Sequence, residues 1–363
     1  MKPADARVGR AAVFAGVPDK IELREYAVAP LQPGEILVRV AACTLCGSDL
    51  HSFHGRRAVP VPTVLGHEIV GEIVELDAAA EPRDLAGEPL RVGDRVVWAL
   101  VAHCGQCFYC QRGLPQKCLH AVKYGHEAIR PGREFLGGLA DVCQLVPGTS
   151  IVRLPQELPL EAAAPASCAT ATVAAALDAA GGIRGRTVCV VGAGMLGLTA
   201  CAMAHARGAA AILCLDPQPA RRALALRFGA GRAIAPDELA DAARDIAGPL
   251  GFDVVLEFSG SPAAFLAIWP CLRIGGVLVL VGAVFPGPAV ELRMEEVVRR
   301  QLTIRGVHNY APAHLGEGVE FLAAEHAKYP FAELVAQWYP LEAIAEAFRC
   351  AAEPSVIRIG VRP

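Results

Sequence analysis

Thr187-Val188-Cys189-Val190-Val191-Gly192-Ala193-Gly194-Met195-Leu196-Gly197 is the stretch that decides the fold. Its first five residues read as a buried strand, its glycines fall in the order G-x-G-x-x-G, and the apolar, Ala-rich run to Arg207 reads as a helix. Glycines alone are a weak signal, but strand, glycines and helix in this order form a dinucleotide fingerprint. The glycines let the backbone approach a pyrophosphate at the helix N-terminus, where free N–H groups and the helix dipole favour an anion. Gly192, Gly194, Met195, Leu196 and Gly197 are therefore candidate cofactor-binding residues.

Working outward, a second strand over residues 211–215 ends at Asp216, near the expected distance of about twenty residues past the fingerprint. A carboxylate there accepts hydrogen bonds from both ribose hydroxyls and repels a 2′-phosphate, which favours NAD over NADP. Strands over 252–257 and 277–281, with helical stretches between them, predict an α/β domain with a doubly wound parallel sheet. Ser259 and Gly282 follow strand ends, where such a sheet binds its ligand.

Up to about residue 160 the pattern changes to short strands punctuated by Gly and Pro, as at residues 35–40 and 94–98, and predicts mostly β structure. Within it lies Cys104-x2-Cys107-x2-Cys110-x7-Cys118. Four thiolates close a tetrahedron and leave no open position, so zinc held there is structural. An iron–sulfur cluster also takes four cysteines, but the Cys-Pro ending of such runs is absent. A second candidate set, Cys46, His67 and Cys168, has the donors of an open catalytic zinc site, although 20 and 100 intervening residues separate them.

Composition bounds the rest. A chain of 363 residues is long for one core and suits two domains. With 53% hydrophobic and 20% charged residues, a net charge of −3 and no basic stripe, nucleic acid is not an expected partner. Residues 1–20 lack a signal core, and no apolar run approaches the ~18 residues of a membrane helix, so a cytoplasmic location and no membrane contact are expected. Of the thirteen cysteines, Cys189, Cys201, Cys214 and Cys271 sit in apolar runs and read as small buried hydrophobes.

Cys46-Gly47-Ser48-Asp49-Leu50-His51, Gly66-His67-Glu68-Ile69-Val70-Gly71-Glu72-Ile73-Val74, the cysteine quartet and the fingerprint together resemble the zinc-dependent medium-chain alcohol and polyol dehydrogenases over nearly the whole chain. The resemblance implies a β-rich, GroES-like catalytic domain over residues 1–168 and 307–363, with a structural-zinc lobe at about 103–119, and a Rossmann NAD-binding domain over 169–306. It implies two zinc ions per chain, the catalytic one on Cys46, His67 and Cys168. Polyol-type members carry glutamate at the third position. Ser48 and His51 would pass the substrate proton to water, for which imidazole is suited; otherwise Ser48 is a helix cap and His51 merely exposed. Asp49 would orient His67, and Glu68 would lie near the metal, since ligating imidazoles usually donate their second N–H to a carboxylate or carbonyl. Thr172 would approach the nicotinamide, Arg221 the adenosine ribose and Arg358 the cofactor phosphates.

The activity implied is hydride transfer between a primary or secondary alcohol and NAD, giving an aldehyde or ketone, in a homodimer or homotetramer. A polyol dehydrogenase, a zinc-free reductase of activated double bonds and a non-catalytic zinc- and nucleotide-binding protein are the alternatives. The zinc-free reductases lack the quartet and the catalytic ligands found here. One departure from the family lies after residue 74, where 75–88 form a longer acidic loop containing Ala78-Ala79-Ala80. Lys123-Tyr124-Gly125-His126-Glu127, with Arg130, Arg133, Arg56 and Arg57, falls where the family has the mouth of its substrate cleft. These cations suit a phosphate-, phosphonate- or carboxylate-bearing alcohol, unless they are loop charges balanced by Glu127 and Glu134. The details around Cys46, Lys123 and Cys168 also resemble a branch associated with phosphonate metabolism, which makes a hydroxyalkylphosphonate one expected substrate.

Overall fold

The strand Thr187–Val191 lies inside a six-stranded sheet whose pairings are all parallel. The order across it is Arg232–Ile234, Ala211–Leu215, Thr187–Val191, Phe252–Glu257, Leu272–Leu280 and Thr303–Gly306. The sequence order reverses at Thr187–Val191, which makes this a doubly wound Rossmann sheet with its switch point at the fingerprint. The interior strands are apolar at nearly every position because helices cover both faces. In Leu239–Ala247, Leu239, Ala242, Ala243 and Ala247 are buried, the spacing of one helical stripe. Phe252, Val255, Leu278 and Ile268 share a core with Cys189, Val191, Leu213 and Leu215.

This is a computed structural model, and it describes residues 7–77, 79 and 81–363. The Ala78-Ala79-Ala80 loop thus lies mostly outside the described residues. The chain divides into two units, one running up to Ala171 and resuming over Ala311–His326 and Phe331–Pro363, the other spanning Thr172–Tyr310 and Ala327–Pro330. Among the described residues no single helix is long and apolar enough to cross a membrane.

The first unit is built on a mixed sheet in which Ile36–Thr44 pairs antiparallel with Glu68–Leu76, Val142–Leu145 and Arg358–Arg362. Arg39 is the one exposed residue of this strand. The register aligns Thr44 with both Glu68 and Gly360, so three distant segments meet where the strand ends. A separate apolar core, including Leu37, Val38, Ile69, Phe53, Phe348 and Ile359, holds them there.

Two expectations need adjusting. The strand expected at 277 begins at Leu272 and only enters regular pairing at Val277, after a register shift across Gly275 and Gly276. Cys271 is half-buried in a short turn, Trp269–Cys271, ahead of that strand, whereas Cys189, Cys201 and Cys214 are fully buried.

Candidate metal centres and cofactor site

Cys46 lies at the N-cap of the helix Gly47–Phe53, directly after the strand Ile36–Thr44. His67 immediately precedes the strand Glu68–Leu76, and Cys168 ends the turn Ala164–Ser167. Their ligand atoms lie within 4.8 Å of one another. The Cys46 and Cys168 sulfurs are 3.9 Å apart, close to the ~3.8 Å edge of a tetrahedron with Zn–S bonds of ~2.3 Å and far from a disulfide. The donor set therefore fits zinc. Cys168 and Ser48 keep partial exposure while Cys46 and His67 are buried, so the cluster opens on one side.

Asp49 ties the two ligand loops together. One carboxylate oxygen accepts from Cys46 N at 3.0 Å; the other accepts from Gly66 N at 3.1 Å and faces His67 Nδ1 at 3.2 Å. With Nδ1 occupied, Nε2 is the free ligand atom, and Ser48 Oγ lies 3.4 Å from it. Burial opposes a charge on His67, but Asp49 and the Cys46 thiolate outweigh it and raise the imidazole pKa to about 10 in the metal-free protein. Cys46 is pushed well below the usual thiol value, first by the hydrogen bond from Cys168 and then by Arg358 and His67. A thiolate is the form that ligates metal.

Behind Cys46, Arg358 grips Glu68 with Nε at 2.9 Å and Nη2 at 3.0 Å, and Nη2 also lies 3.7 Å from Cys46 Sγ. Thr44 Oγ1 donates to the same carboxylate. Glu68 is completely buried, and burial raises its pKa while Arg358 opposes the rise. The resemblance places Arg358 at the cofactor phosphates; in this structure its guanidinium holds this carboxylate, a pairing that 290 residues of separation hide from the sequence. Ser48 and His51 share the helix Gly47–Phe53, and His51 is held below its ordinary pKa by burial and by Arg56 and Arg57.

The four lobe cysteines also lie within 4.8 Å of one another, with sulfur separations of 3.5, 3.9 and 3.5 Å along Cys110, Cys107, Cys118 and Cys104. Backbone N–H groups surround them: Cys104 N and His120 N each approach Cys118 Sγ at 3.3 Å. Backbone donors from Cys110 and Leu119 lower Cys107 to about 6, whereas burial and its neighbouring thiols raise Cys110 to about 12. Four sulfurs at tetrahedral spacing leave no open position, as structural zinc requires.

In the Rossmann unit the loop Gly192–Gly194 leads into the helix Met195–Ala206, with Gly194 at its N-cap. A side chain at Gly197 would meet the Gly192 carbonyl at 1.7 Å, so helix and loop pack too closely for any other residue. At Gly194 a side chain would meet nothing within 4 Å, which leaves the backbone approach that a pyrophosphate needs. Asp216, 3% exposed, accepts from Ala193 N and Gln218 N at 2.8 Å each and is thereby held against the fingerprint loop. Ser259 binds Glu257 through both its N–H and its hydroxyl, and Gly282 packs against Phe258 and Gly260. Arg222 donates to the carbonyls of Asp216 and Pro217. Thr172 is buried in the helix Ala169–Ala179.

The sequence reading missed the contact between the loop Lys123–Glu127 and the His67 loop. Gly125 has φ +75°, and a side chain there would meet the Gly66 carbonyl at 2.6 Å. That approach brings His126 beside His67, ring centroids 5.2 Å apart. The only available signal was the pair of glycines, one before each histidine.

A β-rich unit with one open and one closed zinc-type cluster and a Rossmann unit with a dinucleotide loop together define a zinc-dependent nicotinamide oxidoreductase. Residues 32–156 match the family described as alcohol dehydrogenase GroES-like domain, and residues 196–324 match the zinc-binding dehydrogenase family. A 5-exo-hydroxycamphor dehydrogenase from Pseudomonas putida is 30% identical over 347 residues, 94% of this chain and 95% of its own. An L-threonine 3-dehydrogenase from Pyrococcus horikoshii is 32% identical over 295 residues, 79% of each chain. The crystal structure of an alcohol dehydrogenase from Thermotoga maritima superposes with a TM-score of 0.93 at 28% identity, covering 98% of this chain and 100% of that one. The chain belongs to the zinc-dependent medium-chain alcohol dehydrogenase family.

Proposed function

We propose that this chain oxidises a small alcohol to the corresponding aldehyde or ketone, with NAD as hydride acceptor. The observation that carries this reading is the open cluster of Cys46, His67 and Cys168 with the Ser48 hydroxyl 3.4 Å from His67 Nε2. These three residues would hold a zinc ion, which would supply Lewis acidity toward the alcohol oxygen, and the fingerprint loop would hold NAD, whose nicotinamide would supply the hydride acceptor. The chain's own residues do the rest. Asp49 fixes the His67 tautomer so that Nε2 points to the cluster. Ser48 Oγ receives the hydroxyl proton and passes it toward His51, whose depressed pKa favours prompt release to water. Glu68 and Arg358 keep a buried charge balance behind Cys46.

Asp216 supports NAD over NADP, because its carboxylate at the fingerprint repels a 2′-phosphate. Asp216→Ser is expected to lower the NAD-to-NADP ratio of kcat/KM by about tenfold, the scale of losing roughly one charge interaction. A wild-type preference for NADP removes this reading. Arg221, Ser259, Gly282 and Thr172 are assigned to the same cofactor, Arg221 at the adenosine ribose. A cytoplasmic homodimer or homotetramer fits the family.

The test follows NADH absorbance over a panel of primary and secondary alcohols, polyols, L-threonine and hydroxyalkylphosphonates, with zinc measured on the same preparation. Two zinc ions per chain and turnover of at least one alcohol support the proposal. Two zinc ions with no turnover of any member would leave a zinc- and nucleotide-binding protein instead.

A further inference from the structure

We propose that Lys123 Nζ and the Arg57 guanidinium form a subsite for an oxyanion on the alcohol substrate, and that His126 is the positioning residue that holds Arg57 there. The proposal rests on the dehydrogenase reading above and narrows its substrate class.

Of five cations that the sequence groups in these loops, the fold singles out two. Arg133 pairs with Glu35, and Arg56 and Arg130 are exposed. Arg57 Nη1 donates to His126 Nε2 at 2.8 Å. That assignment follows from the other ring nitrogen, which donates from Nδ1 to the Tyr124 carbonyl at 2.9 Å. The imidazole is 7% exposed, and with Nδ1 donating and Nε2 accepting it is neutral. A neutral acceptor orients the arginine without cancelling its charge.

The acids that would make these ordinary solvated charges are engaged elsewhere. Glu127 accepts from the backbone N of Lys123 at 2.9 Å, and Glu134 from the backbone N of Gly132 at 3.0 Å. Among the described residues the Lys123 ammonium has neither a carboxylate partner nor a hydrogen-bond acceptor. Burial first, and Arg57 second, lower its pKa to about 8. The anions it does feel are the thiols of Cys168 and Cys46, and those Arg57 feels are Asp49 and Cys46. The thiolates are the donors set aside for metal, and the Asp49 carboxylate already faces three N–H groups. Two cations held together without an acid cost stability unless something binds them, and the guanidinium fork with a neighbouring ammonium matches a carboxylate, phosphate or phosphonate.

The location ties this subsite to the reaction. His126 lies between Arg57 and His67, 2.8 Å from one and in ring contact with the other. One imidazole therefore separates the oxyanion position from a metal ligand, which calls for a substrate with a short spacer between hydroxyl and anion.

The test uses the zinc-loaded full-length enzyme with NAD and three alcohols matched in length: a hydroxyalkyl carboxylate, a hydroxyalkylphosphonate and a neutral diol. Wild type is expected to prefer at least one charged member by about 10- to 100-fold in kcat/KM, the scale of hydrogen bonds to a charged group. Lys123→Gln and Arg57→Gln should each lower this charged-to-neutral preference about tenfold. His126→Phe should raise KM for the charged member with kcat little changed, and His126→Gln, which keeps an acceptor, should restore it. KM for the charged member should climb between pH 7 and 9 as Lys123 loses its proton.

Equal specificity constants for charged and neutral alcohols, unaltered in the variants, overturn the subsite and leave the dehydrogenase reading standing. Calorimetric titration of acetate and methylphosphonate into the same enzyme separates the two claims. Binding that disappears in Lys123→Gln supports the subsite even where no alcohol is turned over. No binding of either anion by an enzyme that oxidises neutral alcohols overturns it.

Discussion

The lobe cluster takes four thiols from residues 104–118 and surrounds them with backbone N–H groups. The cluster of Cys46, His67 and Cys168 draws on a helix start, a strand start and a turn about a hundred residues further along the chain, and surrounds them with ionisable side chains. Asp49, Glu68 and Arg358 have no counterparts in the lobe. Backbone donors suffice to hold an ion. An open site must also hold charge steady while a proton and a substrate come and go, and that takes side chains.

The sharpest way to break this contrast is to remove one ligand from each cluster. Cys168→Ser should lower kcat by about 10³ or more, the several kcal/mol that Lewis-acid stabilisation supplies, while zinc analysis still finds one ion and thermal unfolding changes little. Near-normal turnover in this variant would end the division of roles. Cys107→Ser should do the reverse, lowering Tm by roughly 5–10 °C because a closed site contributes folding energy, with activity per folded molecule largely kept. Loss of activity without loss of stability would place the lobe in the reaction.

Asp49→Asn tests the ionisable surroundings themselves. It keeps the shape but loses the charge facing His67, so zinc affinity of the open site should fall about 10- to 100-fold in a chelator competition, and the lobe ion should stay. Equal release of both ions would show that Asp49 acts only through the fold.

The smallest expected effect concerns Lys123. Its folded pKa of about 8 lies below the ordinary 10.5, so between those values the unfolded chain holds a proton that the folded chain lacks. Wild-type stability therefore rises with pH across this window, and the full penalty is present below it. Lys123→Met should be more stable than wild type at pH 7 by about 1–2 kcal/mol in urea unfolding, and the gap should shrink by pH 10. A destabilised variant would mean that the lysine stem packs in a way the charge argument ignores.

What the sequence made legible follows the same contrast. The fingerprint, the parallel strands and the lobe are local, and strand, glycines and tight cysteine spacing each carry their own signature. The meeting of Cys46, His67 and Cys168 came only through the family resemblance, since no spacing encodes a contact across 100 residues. The Asp49–His67 contact came through the resemblance, whereas the bidentate grip of Arg358 on Glu68, the Cys46 and Gly66 N–H groups at Asp49 and the His126–Arg57 bond were not legible at all. Each depends on which loops a pleated sheet brings to one end, and the register that places Thr44 opposite both Glu68 and Gly360 is a property of the folded chain.

The compactness of the lobe also sets an order in time. All four of its ligands are made once residue 118 leaves the ribosome, whereas the open cluster waits for residue 168, 50 residues later (168 − 118). At about 5–20 residues per second that is a head start of roughly 3–10 s. When zinc is scarce the lobe is positioned to fill first, and a cell would accumulate chains that are folded, long-lived and catalytically silent until more metal arrives.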